Sequence, residues 1–285
     1  MATRVAWLLN LDADLELARG KGYAPSASVT RAVAAFVGRV RAALVAEDDL
    51  VIDAQTPVGA AAGCVGRAFC PTPRAIATLA RAGAEPEPHP SFDVLRAVAS
   101  RAFSASLGAT MPKSAFVTRL DEARAILATD PAPGSGWRIK RAFGMAGRGH
   151  RVVDAAPRDA DVAFLASWME DGGAQIEPNV RVVNEYALHG FITDGAARFG
   201  ALTRQRTDAS GAWLASERIE APRTIAEPIA REAERAARAL AGAGYFGPFG
   251  VDAFTYESRG EVVLRARSEI NARYSMGFAV GFGRP

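Results

Sequence analysis

The sequence is short of lysine, cysteine and histidine and has no long apolar run, and each shortage excludes something. No stretch supplies the roughly eighteen consecutive apolar residues of a membrane span, so no membrane partner is expected. The N-terminus lacks the basic, apolar and small-residue succession of a signal peptide, which makes a cytoplasmic location the expectation. Cys64 and Cys70 sit in a Gly/Ala/Pro-rich stretch without the paired spacing of a zinc site, and they read as incidental small residues. No basic run is interleaved with aromatics: the formal net charge is only +3, and the arginines are scattered with acidic residues between them. Nucleic acid is therefore not an expected partner. Lysine is scarcest of the charged residues. Lys21, Lys113 and Lys140 are the only ones, and every other member of the 34 Lys and Arg residues is arginine. In a chain that defaults to arginine, a lysine inside a strand invites a reason.

What is present is the composition of an ordinary globular protein, with 49% apolar and 23% charged residues over 285 positions. That length suits one large domain or two or three lobes. Residues 5–9 and 50–52 read as short buried strands. Val29, Val33, Phe36, Val37, Val40 and Leu44 follow helical spacing behind Ser28 as N-cap, residues 74–81 form a helix, and Ser91 opens one helix that Gly108 stops. This alternation suggests a small open α/β sheet over residues 1–109. After it, residues 116–117 (strand) and 121–127 (helix) lead into a lobe spanning 110–180. There residues 137–140 and 151–153 form a hairpin with an oversized glycine-rich tip, followed by a helix over 159–169 and a strand over 175–177. From 181 to 285 the spacing predicts strands at 180–188, 191–193 and 198–203, the last two joined by the Asp194-Gly195 turn. A long Ala-rich helix over 223–241 follows, then strands at 249–256 and 262–270. Hairpin-paired strands with segregated helices make this part α+β.

The glycine-rich tip fits neither common phosphate loop. Gly144 and Gly149 have the outer spacing of a P-loop, but His150 and Arg151 stand where Lys and Ser or Thr are required. The glycines at 144, 147 and 149 run in the wrong order for a dinucleotide fingerprint, and the loop returns to a strand instead of opening a helix. What remains is a glycine hairpin whose backbone N–H groups can approach a polyphosphate, with Lys140 as a point charge beside it. A surface hairpin without any ligand has the same residues.

A second cluster lies far along the chain. Asp252 is in one predicted strand, and Glu269 and Asn271 are two apart in the next, so strand alternation puts the latter two on one face and antiparallel pairing brings Asp252 to them. Two carboxylates and an amide oxygen are the hard donors Mg²⁺ takes, the ion completing its shell with water and phosphate. Arg273, again two residues on, adds a fixed cation. A solvated strand end with a Glu269–Arg273 ion pair is the plainer alternative.

The segments WRIKRAFGMAGRGHRVV (137–153), IEPNVRVVNEYALHG (176–190), GYFGPFGVDAF (244–254) and SEINARYSMGF (268–278) together resemble the ATP-grasp ligases, in that family's order. The resemblance implies an α+β ATP-grasp fold, two lobes gripping ATP, preceded by a small Rossmann-like α/β domain. It implies that Lys140 holds the ATP phosphates under a lid of Gly144, Gly147 and Gly149. The linker from Glu177 to Val180 would meet the adenine and Glu185 the ribose. Asp252, Glu269 and Asn271 would hold magnesium, Arg273 would face the reacting carboxylate, and Arg204 or Arg206 would reach the γ-phosphate. Where many members carry a second ATP-contacting lysine, this chain offers Arg96 and Arg101, which keep the charge without the compact ammonium. The chain also ends soon after the Asn-x-Arg motif, which leads to the expectation that part of an acceptor pocket is missing or comes from a partner subunit; a homodimer is compatible with this. The implied activity is ADP-forming ligation of a carboxylate to an amine, both small molecules, through an acyl phosphate. A nucleotide-binding regulatory protein and a kinase-like phosphotransferase are the alternatives on the same scaffold. His150 and His189 are candidates for a general base.

Overall fold

Short apolar runs separated by helices build the first of three sheets in the computed structural model, which describes residues 4–20, 22–144, 149–154, 159–207 and 213–284. β1 (Val5–Leu8) leads through α1 (Ala13–Arg19) and α2 (Ala27–Leu44) to β2 (Leu50–Ile52). β3 (Val65–Ala68) leads through α3 (Pro73–Arg81) to β4 (Glu85–Pro86). The strands lie in the order β2-β1-β3-β4, all parallel, with helices on the β1-to-β2 and β3-to-β4 connections and a turn-rich segment from β2 to β3. Ser26, two residues before the expected Ser28, caps α2, its hydroxyl accepting from the Val29 N–H. The helix expected after Ser91 is two: α4 (Phe92–Ala99), capped by Ser91, and α5 (Arg101–Ser106), capped by Ser100. Ser100 has extended backbone angles and its hydroxyl accepts from the Ala102 N–H, so a side chain competing for backbone donors breaks the helix there.

The second sheet is antiparallel. It comprises β5 (Ala115–Val117), β6 (Gly136–Arg141), β7 (His150–Asp154) and β8 (Ala174–Pro178) in the order β5-β8-β6-β7, with α6 (Leu120–Leu127) and α7 (Asp159–Glu170) packed on it. Trp137, Ile139 and Ile176 from the strands meet Leu127, Leu165 and Trp168 from the helices in its core. The expected β6–β7 hairpin is present; residues 145–148 of its tip, Gly147 among them, lie outside the described residues.

The third sheet carries most of the long strands: β9 (Val182–Thr193), β10 (Ala196–Thr207), β11 (Trp213–Arg218), β12 (Gly247–Ser258) and β13 (Glu261–Asn271), ordered β11-β10-β9-β12-β13 and antiparallel throughout. Asp194 and Gly195 turn β9 into β10 at φ 50° and 76°, and Arg259 and Gly260 turn β12 into β13 at φ 51° and 83°. Both are two-residue turns that need left-handed backbone. α8 (Arg223–Gly242) covers one face with Ile229, Ala233, Ala236, Ala237 and Leu240, a spacing of three and four residues. That core also takes Leu17 of α1 and Leu95 and Val98 of α4, so helices from the N-terminal part pack on the third sheet. A short α9 (Phe278–Gly281) follows, and its Phe278 packs with Trp7, Val40 and Phe69 of the first sheet's layer. Among the described residues no helix is long and apolar enough to cross a membrane.

The segment expected as two strands around residue 190 is the single strand β9. Gly190 continues the strand because the Phe249 ring occupies the space above it: a Cβ there would lie 2.6 Å from that ring and 2.8 Å from the Arg198 carbonyl oxygen. Gly190→Ala should therefore cost about 1–3 kcal/mol by overpacking. The measurement is the thermal midpoint beside a surface Gly195→Asn control; an unchanged midpoint would show that Phe249 yields freely.

Candidate active site

Lys140, near the end of β6, and Glu177, on the neighbouring β8, meet in an ion pair of 2.6 Å. The other Glu177 oxygen accepts from Arg265 of β13 at 2.8 Å, so one carboxylate ties the second sheet to the third. All three groups are withdrawn from water, with side-chain exposures of 17%, 3% and 4% for Lys140, Glu177 and Arg265. Burial pushes the Glu177 carboxyl up, but Lys140 and Arg265 outweigh it and hold it at about 2. Burial also lowers the Lys140 ammonium, against the pull of Glu177. The side chain of Glu177 is thus committed to two cations, and the backbone of Asn179 is bonded to Gly136 and Ser135.

The oxygen cluster forms as strand alternation predicts. Asp252 of β12 is the register partner of Glu269 on β13, and Asn271 opposes Gly250. Asn271 donates its amide N–H to Asp252 at 2.8 Å, and Gln205 of β10 donates to the other Asp252 oxygen at 3.2 Å. Gln205 was not foreseen; a lone amide on a strand edge carries no spacing signal. Burial, then the adjacent Glu269 charge, pushes the Asp252 carboxyl up to about 7. Glu269 is held below the usual carboxylate range, since Arg101, Lys140 and Arg273 outweigh its own burial. Asp252 is thus a carboxylate short of positive charge. Among the described residues no group of three or more His, Cys, Asp and Glu forms a dedicated metal cage. Two carboxylates and one amide suit a magnesium ion that keeps water or phosphate in its remaining positions, so the residues fit that ion.

The cations are distributed around this cluster. Arg101 reaches it because of the break at Ser100: it bonds Glu269 at 2.9 Å and the Arg141 carbonyl at 2.7 Å, while its backbone N–H bonds the Ala142 carbonyl. It therefore links a cluster carboxylate to the base of the glycine hairpin. Arg273 is held by Asp14 of α1 at 2.9 Å and lies over the Phe69 ring at 5.2 Å. Arg204 pairs with Glu217 across β10 and β11, and Glu185 accepts from the Thr207 hydroxyl at 2.9 Å.

These residues line two adjoining cavities. The larger, about 980 Å³, takes in Lys140, Gly149, His150, Glu177, Val180, Glu185, Arg204, Arg206, Asp252 and Glu269. The smaller, about 230 Å³, shares Arg101, Glu185, Gln205, Thr207, Asp252 and Glu269 with it and adds Gly144, Asn271 and Arg273. His189 lines neither. It is 2% exposed, with Gly250, Gly277 and Gly281 against its ring, and burial pushes it down to about 4, so it is a packed neutral side chain.

No protein-family model matches the chain, and no curated protein matches its sequence. Solved structures do match. D-alanyl-alanine synthetase A from Vibrio cholerae superposes with a TM-score of 0.55 at 12% identity, over 99% of this chain and 92% of that one. D-alanine–D-alanine ligase from Bacillus anthracis, complexed with ATP, gives 0.54 at 14%, over 95% and 86%. N5-carboxyaminoimidazole synthetase from Staphylococcus aureus, complexed with ADP, gives 0.51 at 15%, over 95% and 71%. The chain has the ATP-grasp fold. The two antiparallel sheets are the gripping lobes of the ATP-grasp architecture, and the larger cavity lies between them.

Two outcomes test the electrostatics of this ATP-grasp cleft. A divalent cation on Asp252 must displace its proton, so affinity for Mn²⁺ should rise as pH increases through about 7, with proton release, and fall below it. Calorimetry in buffers of different ionisation enthalpy reads this directly; pH-independent uptake would show Asp252 already ionised. Glu177→Gln leaves Lys140 and Arg265 together without a counter-charge and should lower stability by about 3–5 kcal/mol. Because the folded Glu177 carboxyl is depressed, its contribution is present above the unfolded value of about 4.3 and is lost as pH falls toward 2. Acid titration of wild type against the variant should show the difference narrowing over that window.

Proposed function

We propose that this protein is an ATP-dependent ligase that joins a carboxylate to an amine through an acyl phosphate, releasing ADP and phosphate. Its three parts would be residues 1–109, 110–180 and 181–285. The observation that carries the reading is the convergence of Lys140, Asp252 and Glu269 on one cavity, which adjoins a second pocket that shares Asp252 and Glu269 and adds Asn271 and Arg273.

In this reading the triphosphate lies along the larger cavity. Lys140, aimed by Glu177, takes the phosphates, with Gly149 on the same cavity and Gly144 on the adjoining one. Arg204 and Arg206 bring positive charge from β10. The base sits against the linker up to Val180, and Glu185 receives the ribose hydroxyls. Asp252, Glu269 and Asn271 would hold magnesium, which when bound would supply charge neutralisation for the transferring phosphoryl group. A substrate carboxylate oxygen, held toward Arg273, attacks the γ-phosphorus, and the bond to the bridging oxygen breaks as ADP leaves. The amine nitrogen then attacks the acyl carbon, phosphate departs, and the proton lost by nitrogen passes to phosphate or solvent. The protein contributes position and charge, and the enclosing hairpin keeps water from the acyl phosphate.

ADP release from ATP and Mg²⁺ should require both a carboxylate and an amine. Release with one substrate and a stable phosphorylated product would make the protein a phosphotransferase, and nucleotide binding without turnover would make it a regulator. Glu269→Ala and Lys140→Ala should each lower kcat at least about 10²-fold while the far-ultraviolet circular dichroism is retained. Full activity in Glu269→Ala would remove it from the metal site.

A further inference from the structure

The smaller cavity has a character of its own. Leu11, Val33, Phe36, Phe69, Trp213 and Met276 give it one apolar and aromatic side, drawn from the first sheet's layer, β11 and the segment before α9, whereas its other side is polar and charged. An apolar cavity of about 150 Å³ accepts a benzene ring. Of the volume of about 230 Å³ here, the part against the apolar side suits a branched aliphatic or phenyl side chain, and the part against Asp252, Glu269 and Asn271 is shared with the phosphate end of the site.

Its charges point the same way. The two described cations on its wall are already matched: Arg101 with Glu269 at 2.9 Å and Arg273 with Asp14 at 2.9 Å. Asp252 and Glu185 add negative charge. Nothing among the described residues is left over for a phosphate or a second carboxylate. Arg273 spends Nε and one N–H of each Nη on Asp14 and the Tyr274 carbonyl, which leaves guanidinium N–H groups for a single carboxylate.

We infer that the carboxylate substrate is an unphosphorylated monocarboxylic acid with an apolar side chain of about leucine to phenylalanine size. An α-amino acid of that kind is the simplest form. The inference rests on the proposed ligase reading for the word substrate, but the pocket's preference is measurable without turnover. Trp7, Trp137 and Trp168 are fully buried, whereas Trp213 lines the pocket, its indole N–H bonded to Ser216 at 2.9 Å. Trp213 is therefore a reporter of occupancy.

The test titrates nucleotide-free protein with leucine, phenylalanine and methionine, each as both enantiomers, and with glutamate and phosphoserine, following tryptophan emission. At least one apolar acid should give a saturable change that Trp213→Phe abolishes. Ala32→Phe, which fills the pocket from α2, should weaken that response at least tenfold while binding of a nonhydrolysable ATP analogue is unchanged. A response confined to glutamate or phosphoserine, or no saturable response to any apolar acid, overturns the inference. Assays of ADP release separate the two readings. Turnover only with acidic or phosphorylated substrates refutes the apolar specificity and keeps the ligase, whereas apolar-acid binding without turnover of any pair refutes the ligase and keeps the pocket.

Discussion

The Glu177 carboxylate, gripped from one side by Lys140 and from the other by Arg265, is the interaction on which the cleft depends. Lys140 belongs to the second sheet and Arg265 to the third, so the bond that aims the ammonium also fixes the spacing between the lobes. A buried lysine without a counter-ion would shed its proton or swing to water. Glu177 beneath it opposes the downward push of burial and holds the amine at a fixed point on the cavity wall. The same carboxylate offsets the repulsion between Lys140 and Arg265. Arg101 repeats the device on the next rung, joining Glu269 of the third sheet to the backbone at the foot of the glycine hairpin. The lobes are thus held by two charged clasps flanking the cavity.

Against these compensated pairs, Asp252 stands out as uncompensated. It has two amide donors and no ion pair, the Arg273 charge acts on it only weakly, and burial with the Glu269 and Glu185 charges pushes its carboxyl up. Folding stability alone gives no reason to retain that arrangement, because a buried carboxylate pushed toward neutrality costs stability at neutral pH. A divalent cation would remove the penalty. In the proposed reading, the contrast between Glu177, satisfied within the protein, and Asp252, pushed up by burial and by Glu269, separates a carboxylate that builds the site from one that would take the metal.

The sequence made much of this legible where a physical period governs the outcome. Alternation along strands placed Glu269 and Asn271 on one face, and the hairpin turn brought Asp252 opposite, because side-chain direction in a ladder follows from register alone. The scarcity of lysine drew notice to Lys140. Partners chosen by tertiary contact were hidden. Nothing local distinguishes Arg265, which grips Glu177, from other arginines, or Asp14, which grips Arg273 across most of the chain's length. β3 holds Gly66 and Arg67 in four residues and gave no apolar signal, yet it pairs with β1 along its whole length. The break at Ser100 was missed because apolar positions keep helical spacing through it; only the competition of the serine hydroxyl for backbone donors reveals it, and that break places Arg101 in the site.

The first sheet's layer contributes little to the larger cavity and much to the smaller one. Leu11, Val33, Phe36 and Phe69 come from it, as does Asp14, which orients Arg273. That layer is packed against the end of the third sheet through Trp7, Tyr274 and Phe278, so the pocket wall is set by a hydrophobic contact independent of the charged clasps. The consequence is a division of labour. The two antiparallel lobes present charge, which suits a phosphate chain common to many reactions, while the parallel layer presents shape and apolar surface, which suits one acid among many. Substitutions at Phe36 or Phe69 can then alter which acid fits without touching Lys140, Asp252 or Glu269. If the proposed ligase reading holds, selectivity on this scaffold would be separable from the phosphoryl chemistry, because the two would be held in place by different forces.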